Sequence, residues 1–240
     1  MTEMKRPKGV LFDLGDTILH EVRYEPHAGA KCLLDNASNL PAIERDELER
    51  LAFDLYEDVK GHHRQGVIEF SIQSFLRLVC EQAGIEHEMS LTELEFEFWQ
   101  AVASMRPEPD VVLMLDKLDE LQIPRGIVSN AMFSGDVLRW ELERNELLSR
   151  FSFVMSSADY GMQKPHRALF LAAAKKLGLP PEEIWFVGDN LEKDVTGSSN
   201  AGLTGVWYNP KGQSCDLDPK PNQVTSWLDF VELITRANSP

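Results

Sequence analysis

The chain has 240 residues, a formal net charge of −15, 43% hydrophobic residues and 26% charged residues. That length holds one large domain or a core with an insertion, and the composition is that of an ordinary globular protein. The acidic balance disfavours nucleic acid and anionic membrane as partners, since both require basic surface; no apolar run reaches membrane-spanning length and no signal peptide is read at the start.

The first element is a short apolar run, Gly9 to Phe12, closed by Asp13-Leu14-Gly15-Asp16-Thr17. A run this short, ended by Gly and Asp, predicts a buried strand with Asp13 at its carboxyl end. A helical region follows, over about residues 24–104. Leu48, Leu51, Leu55 and Val59 recur at helical spacing within 42–64, and Ile72, Phe75, Leu76 and Val79 do so within 71–80. Gly84 is a stop signal, and Ser90 with Glu93 forms a candidate capping box ahead of Leu94, Phe96, Phe98 and Val102. Arg106-Pro107-Glu108-Pro109 breaks this helical stretch.

From Pro109 strands and helices alternate. Helices are predicted over 112–121, 133–148, 166–177 (closed by Gly178), through Val195 to Ala201, and over 227–234. Strands are predicted at Ile127-Val128 ending on Ser129-Asn130, at Phe153 to Met155, at Ile184 to Val187 ending on Gly188-Asp189, and at Gly205 to Tyr208. Such alternation implies right-handed crossovers and a parallel sheet, an α/β Rossmann-like core. Residues 1–19 and 105–240 would form that core, and residues 20–104 an inserted α-helical cap. In a parallel sheet the strand ends point one way, so Asp13, Ser129 and Asp189 gather on one rim, where open α/β folds bind ligands. Lys164 lies in the loop Gly161-Met162-Gln163-Lys164-Pro165, and Asp194 follows Asp189 by about a helical turn.

Taken singly, each of these residues has a plain structural reading as a cap, a turn or a solvated loop residue. In order and on strand ends they resemble the four motifs of the haloacid dehalogenase superfamily: Phe12 to Leu19, Ile127 to Asn130, Gly161 to Pro165, and Val187 to Asn190 with Asp194 and Gly197 through Gly202. The resemblance covers the whole core, and the helical insertion resembles the type 1 cap. It implies a Mg²⁺-dependent phosphatase acting on a small phosphorylated metabolite, a sugar phosphate or similar. Asp13 would attack phosphorus and form an aspartyl-phosphate that water hydrolyses. Asp13, the Gly15 carbonyl and Asp189 would hold the metal, with Asp194 acting through water or as an anchor. Ser129, Asn130 and nearby amides would bind the phosphoryl oxygens, and Lys164 would offset the charge of the phosphoryl group and Asp13.

One position departs from the superfamily pattern. Gly15 stands where such enzymes commonly carry an acid/base aspartate. The adjacent Asp16 reads as a turn residue. Without the acid, turnover of poor leaving groups should be slow, whereas sugar 1-phosphates and acyl phosphates should suffer less. His20 or His27 could substitute, although a solvated linker is the plainer reading for each. Arg23 and Tyr24 could contact substrate from the cap. His62-His63 reads as a polar helix end, His166-Arg167 as a helix start, Trp185 and Trp207 as core, and Glu93, Glu95 and Glu97 as a solvated helix face. Cys32, Cys80 and Cys215, odd in number and far apart, read as reduced thiols in a cytoplasmic protein. Three alternatives stand beside the phosphatase. A 2-haloacid dehalogenase would usually lack the Asp189-type ligand and carry an aromatic at Gly15. A phosphonatase would need a cap lysine such as Lys31 or Lys60. A phosphate-binding relative would have weak or lost activity.

Overall fold

The structure is a computed structural model that describes residues 5–63 and 68–237. In chain order it forms β1 (Gly9–Phe12), β2 (Leu19–Tyr24), α1 (His27–Asp35), α2 (Arg45–His63), α3 (Ile72–Ala83), α4 (Leu91–Val102) and β3 (Ala103–Pro107). It continues with α5 (Val111–Glu120), β4 (Arg125–Ser129), α6 (Gly135–Arg144), β5 (Val154–Ser156), α7 (Arg167–Leu177) and β6 (Ile184–Gly188). Last come α8 (Gly197–Asn200), β7 (Thr204–Tyr208), β8 (Asn222–Val224) and α9 (Trp227–Arg236).

Six strands make one sheet in the order β5-β4-β1-β6-β7-β8, and every neighbouring pair is parallel. This is the α/β core that strand–helix alternation predicts. The apolar run of β1 is buried on both faces because successive side chains point to opposite sides. Val10 and Phe12 pack with Met114 and Leu118 of α5, Leu138 of α6, and Trp227 and Phe230 of α9. Leu11 faces the other way, towards Leu169 and Phe170 of α7. Phe12 meets Trp227 and Phe230 edge-on, with ring centroids 5.7 and 6.2 Å apart. The central strand is therefore held from both layers, and Asp13 leaves it from a fixed point.

Helices α1 to α4 gather a hydrophobic cluster of their own, which includes Leu33, Leu48, Leu76, Val79 and Leu94. Ser71 caps α3 by accepting from the Ser74 amide, and Gly84 closes that helix in the left-handed conformation at φ 65°. The Ser90–Glu93 capping box is fully formed at the start of α4.

Several expectations are corrected. The helices of the insertion run from His27 to Val102, close to the expected 24–104, but the chain enters and leaves them through an antiparallel ribbon of β2 and β3 absent from the expected elements, with Tyr24 opposite Ala103. Arg23, considered as a cap contact for substrate, is engaged within the insertion. Its guanidinium donates to the carbonyls of Ala101 and Gln100, 2.6 and 2.9 Å away, and so ties the ribbon to the end of α4. Glu95 is not on a solvated face; it is fully buried. The predicted helix over 133–148 is shorter, because Asn145 ends α6 and Glu146 takes a positive φ of 57°. Strand β8 is an addition to the expected elements; three residues, Asn-Gln-Val, show no resolvable alternation. Trp185 and Trp207 are buried, as expected. The side chains of Lys60, His62 and His63 lie outside the described residues.

Candidate active site

Strand β1 lies between β4 and β6, so the carboxyl ends of three adjacent strands deliver Asp13, Ser129 and Asp189 to one rim. The backbone fixes them first: the Asp13 amide donates to the Val187 carbonyl at 2.9 Å, extending the ladder one residue beyond β1. Ser129 closes β4 and is buried. The Trp207 indole donates to the Asp189 carbonyl at 2.8 Å and fixes that turn from β7.

Lys164 is the centre of the charge arrangement. It is only 1% exposed, yet its ammonium lies 2.6 Å from Asp13 Oδ1 and 2.7 Å from Asp194 Oδ1. Burial works against its charge, but Asp13 and Asp194 outweigh burial and hold its pKa above the ordinary lysine value. The loop that presents it is clamped by Asn130. Asn130 Oδ1 accepts from the Lys164 amide at 2.7 Å, and its Nδ2 donates to the Lys164 carbonyl at 2.9 Å. The Asn130 side chain is thus committed to the lysine loop, so any contact of Asn130 with phosphate falls to its main-chain N–H. Asp194 is held by a second contact, its Oδ2 accepting from the Asn190 amide at 3.0 Å.

Carboxylate oxygens of Asp13, Asp189 and Asp194 lie within 4.8 Å of one another. Burial pushes the Asp13 carboxyl up to about 6, with Lys164 opposing and Asp194 reinforcing it. Burial also pushes Asp189 up to about 7, helped by the charges of Asp13, Asp194 and Asp16. Three carboxylates face one ammonium, so the protein alone leaves the rim with excess negative charge. These hard oxygen donors fit a divalent cation, which would remove that excess.

Gly15 lies beside this group with open space around the position of a Cβ. Asp16 does not fill it. It sits in a turn at φ 51°, its amide donates to the Leu19 carbonyl at 2.8 Å, and its side chain is exposed. His20 lies 3.5 Å from Glu108, while His27 is exposed beside Glu49. His166 caps α7, and Lys31 is exposed and paired with Asp35. A cavity of about 170 Å³ adjoins the rim between the helical insertion and the core, lined by Tyr56, Glu69 and Phe70 on one side and by Asn130, Gln163 and Lys193 on the other.

The motifs reveal Asp13, Ser129, Lys164, Asp189 and Asp194. They do not reveal the Asn130 clamp, the Trp207 bond or the contact of Lys164 with Asp194. Those depend on chain segments far apart in sequence, and a Trp in an apolar strand carries no sign that its N–H will be used.

The family described as haloacid dehalogenase-like hydrolase matches residues 10–208. A glyceraldehyde 3-phosphate phosphatase of Methanopyrus kandleri is 30% identical over 217 residues, 89% of this chain and 88% of that protein. An (S)-2-haloacid dehalogenase of Pseudomonas fluorescens is 25% identical over 92% of this chain and 93% of that protein. Among solved structures, a 2-haloacid dehalogenase from Pseudomonas syringae superposes with a TM-score of 0.66 at 23% identity, over 95% of this chain and 97% of that one, which supports the same fold. Motif order, sheet topology and the match over most of the chain agree, and the chain belongs to the haloacid dehalogenase-like hydrolases.

Proposed function

We propose that the protein is a Mg²⁺-dependent phosphatase of small phosphorylated metabolites, with residues 20–104 as a cap over a core of residues 1–19 and 105–240. The observation that carries this reading is the retention of Asp189 and Asp194 around Asp13, with their oxygens within 4.8 Å of one another. Chemistry that needs no metal would gain nothing from three carboxylates crowded around one ammonium.

Asp13 Oδ attacks phosphorus while the ester P–O bond breaks, and the leaving alkoxide takes its proton from solvent water, since Gly15 supplies no acid. Water then attacks the aspartyl-phosphate, releasing phosphate and regenerating Asp13. Lys164 holds the Asp13 carboxylate in place and offsets charge as the anions approach. Ser129 and the Asn130 N–H bind the equatorial oxygens of the phosphoryl group. Asp13, Asp189 and the Gly15 carbonyl would hold Mg²⁺, with Asp194 anchoring the set; the ion supplies charge neutralisation to the phosphoryl oxygens.

The relatives named as glyceraldehyde 3-phosphate phosphatases make a triose phosphate the first substrate to assay. The glycine at position 15 favours better leaving groups, so a sugar 1-phosphate and an acyl phosphate belong in the same screen. Phosphate release from an aryl phosphate, with and without chelator and with Asp13→Asn as control, tests the reading. Release that ignores chelator or survives in D13N overturns it. Halide release from a 2-haloacid in the absence of phosphatase activity would establish the dehalogenase alternative, which the similarity to haloacid dehalogenases motivates.

A further inference from the structure

The loop between β4 and α6 carries Asn130 and then Ala131 to Ser134, and the helical insertion grips it at every step. At its start, Ser157 Oγ accepts from the Ala131 amide at 2.9 Å. That hydroxyl in turn lies 2.5 Å from Glu69 Oε2, its nearest acceptor. Its proton therefore goes to the carboxylate, and its lone pairs face the Ala131 N–H. In the middle, the Ile72 amide donates to the Met132 carbonyl at 2.8 Å, and the Phe133 ring meets Trp99 edge-on at 4.6 Å. At the end, Glu95 Oε1 accepts from the Ser134 amide at 2.6 Å, while its other oxygen accepts from Gln73 at 2.7 Å.

Glu69 is 6% exposed and Glu95 is fully buried. Packing alone does not require such groups, since an apolar residue of similar size is often as stable at a buried site. A carboxylate accepting a backbone N–H is, however, a short and strong hydrogen bond that fixes the position of that amide. Both carboxylates come from the insertion; Glu95 reaches the chain segment that follows Ser129 directly, and Glu69 reaches it through the Ser157 hydroxyl.

We propose that Glu69, acting through Ser157, and Glu95 are positioning residues for phosphoryl binding: they hold the Asn130–Ser134 loop so that the Ser129 hydroxyl and the Asn130 N–H converge on the phosphoryl oxygens. This rests on the phosphatase reading above. It makes the seating of the cap part of the phosphate site. Glu69 also lines the cavity beside Asn130, so a leaving group seated there meets the residue that fixes the loop.

Glu141 supplies a matched control. It is fully buried, and it accepts from Trp99 Nε1 at 2.8 Å and from the Met105 amide at 3.2 Å. It therefore joins α4 and the ribbon to α6 and makes no hydrogen bond to the loop, which it meets only through the packing of Trp99 on Phe133. The experiment titrates inorganic phosphate into the full-length protein in MgCl₂, and measures KM and kcat for an aryl phosphate, for wild type, Glu69→Gln, Ser157→Ala, Glu95→Gln and Glu141→Gln. Melting temperatures are recorded alongside. We expect the three loop variants to bind phosphate at least about tenfold more weakly and to lose up to about a hundredfold in kcat/KM, the order of what a misplaced binding group costs in rate. Glu141→Gln should lower the melting temperature and leave phosphate affinity unchanged. Wild-type phosphate affinity in Ser157→Ala and Glu69→Gln, or an equal loss in Glu141→Gln, overturns the proposal while leaving the phosphatase reading intact. Failure of the wild type to bind phosphate or release it from the ester overturns both. Ser157→Ala removes a single oxygen and carries the test if Glu95→Gln does not fold.

Discussion

Gly188 and Asp194 share one space. A Cβ built on Gly188 would overlap the Asp194 carboxylate, so the last residue of β6 must lack a side chain for Asp194 to close onto Lys164 and the Asn190 amide. We expect Gly188→Ala to push Asp194 aside, to cost about 1–3 kcal/mol of stability as overpacking does, and to lower kcat more than Gly197→Ala, whose Cβ would meet Pro165 instead. Chemical denaturation and steady-state kinetics on the two variants check this; equal effects would remove the special role of Gly188.

Position 15 offers the converse case. Nothing lies within 4 Å of a Cβ there, and the backbone is not left-handed. Gly15→Asp should therefore fold as the wild type does and place a carboxyl beside Asp13. We expect its rate on alkyl phosphates to rise by about 10²-fold, the low end of what general acid catalysis supplies, and its rate on an acyl phosphate to change little. A variant that gains nothing on the alkyl ester shows that proton delivery was not the limit.

Removing the lysine tests the charge balance. Lys164→Met leaves Asp13 and Asp194 facing one another without their shared cation. Activity should fall by more than about 10³-fold, as for a member of a catalytic unit, and stability in chelator by about 3–5 kcal/mol, the cost of stripping one partner from a buried ion pair. Added Mg²⁺ should restore part of the stability and little of the activity. Calorimetry with and without Mg²⁺ separates the two effects.

The acids also set a pH dependence for the metal-free protein. Asp13 is pushed up to about 6 and Asp189 to about 7, both above their unfolded values near 3.8. Between those limits the folded chain binds more protons than the unfolded one, so this contribution to stability is complete below about pH 4 and is lost as pH rises to about 7. In chelator, Asp189→Asn should therefore become progressively more stable relative to wild type from pH 4 to pH 7, and Mg²⁺ should cancel or reverse the difference. A difference that stays flat across that range would show that Asp189 keeps its ordinary pKa.

What could be read from the chain alone follows a physical pattern. The run Gly9 to Phe12 ends on Asp13 because a strand buried on both faces must stop where a carboxylate stops it, and such signals are local. The clustering of Asp13, Ser129, Lys164 and Asp189 was legible because parallel strands share a rim. Glu95 was misread because two carboxylates on either side of it, Glu93 and Glu97, are spaced like a solvated face; only the arrival of Ser134 and Gln73 buries it. The ribbon of β2 and β3 was missed because each strand is short, one carries a register shift between Glu21 and Arg23, and their pairing spans the whole insertion. The clamp that the Asn130 side chain puts on Lys164 is not legible, because its partner is a backbone 34 residues away.

That ribbon also bears on how the chain comes together. Strand β1 must find β4 across roughly 110 residues of sequence, and a closure of that length carries an entropic penalty. Once β2 meets β3, the long excursion is tied off at its neck, and β4 is presented to β1 across a path of only about 25 residues, worth about 1 kcal/mol of closure entropy. An insertion that would otherwise slow assembly of the sheet thus acts, when it forms first, as a splint that brings β4 within reach of its neighbour β1.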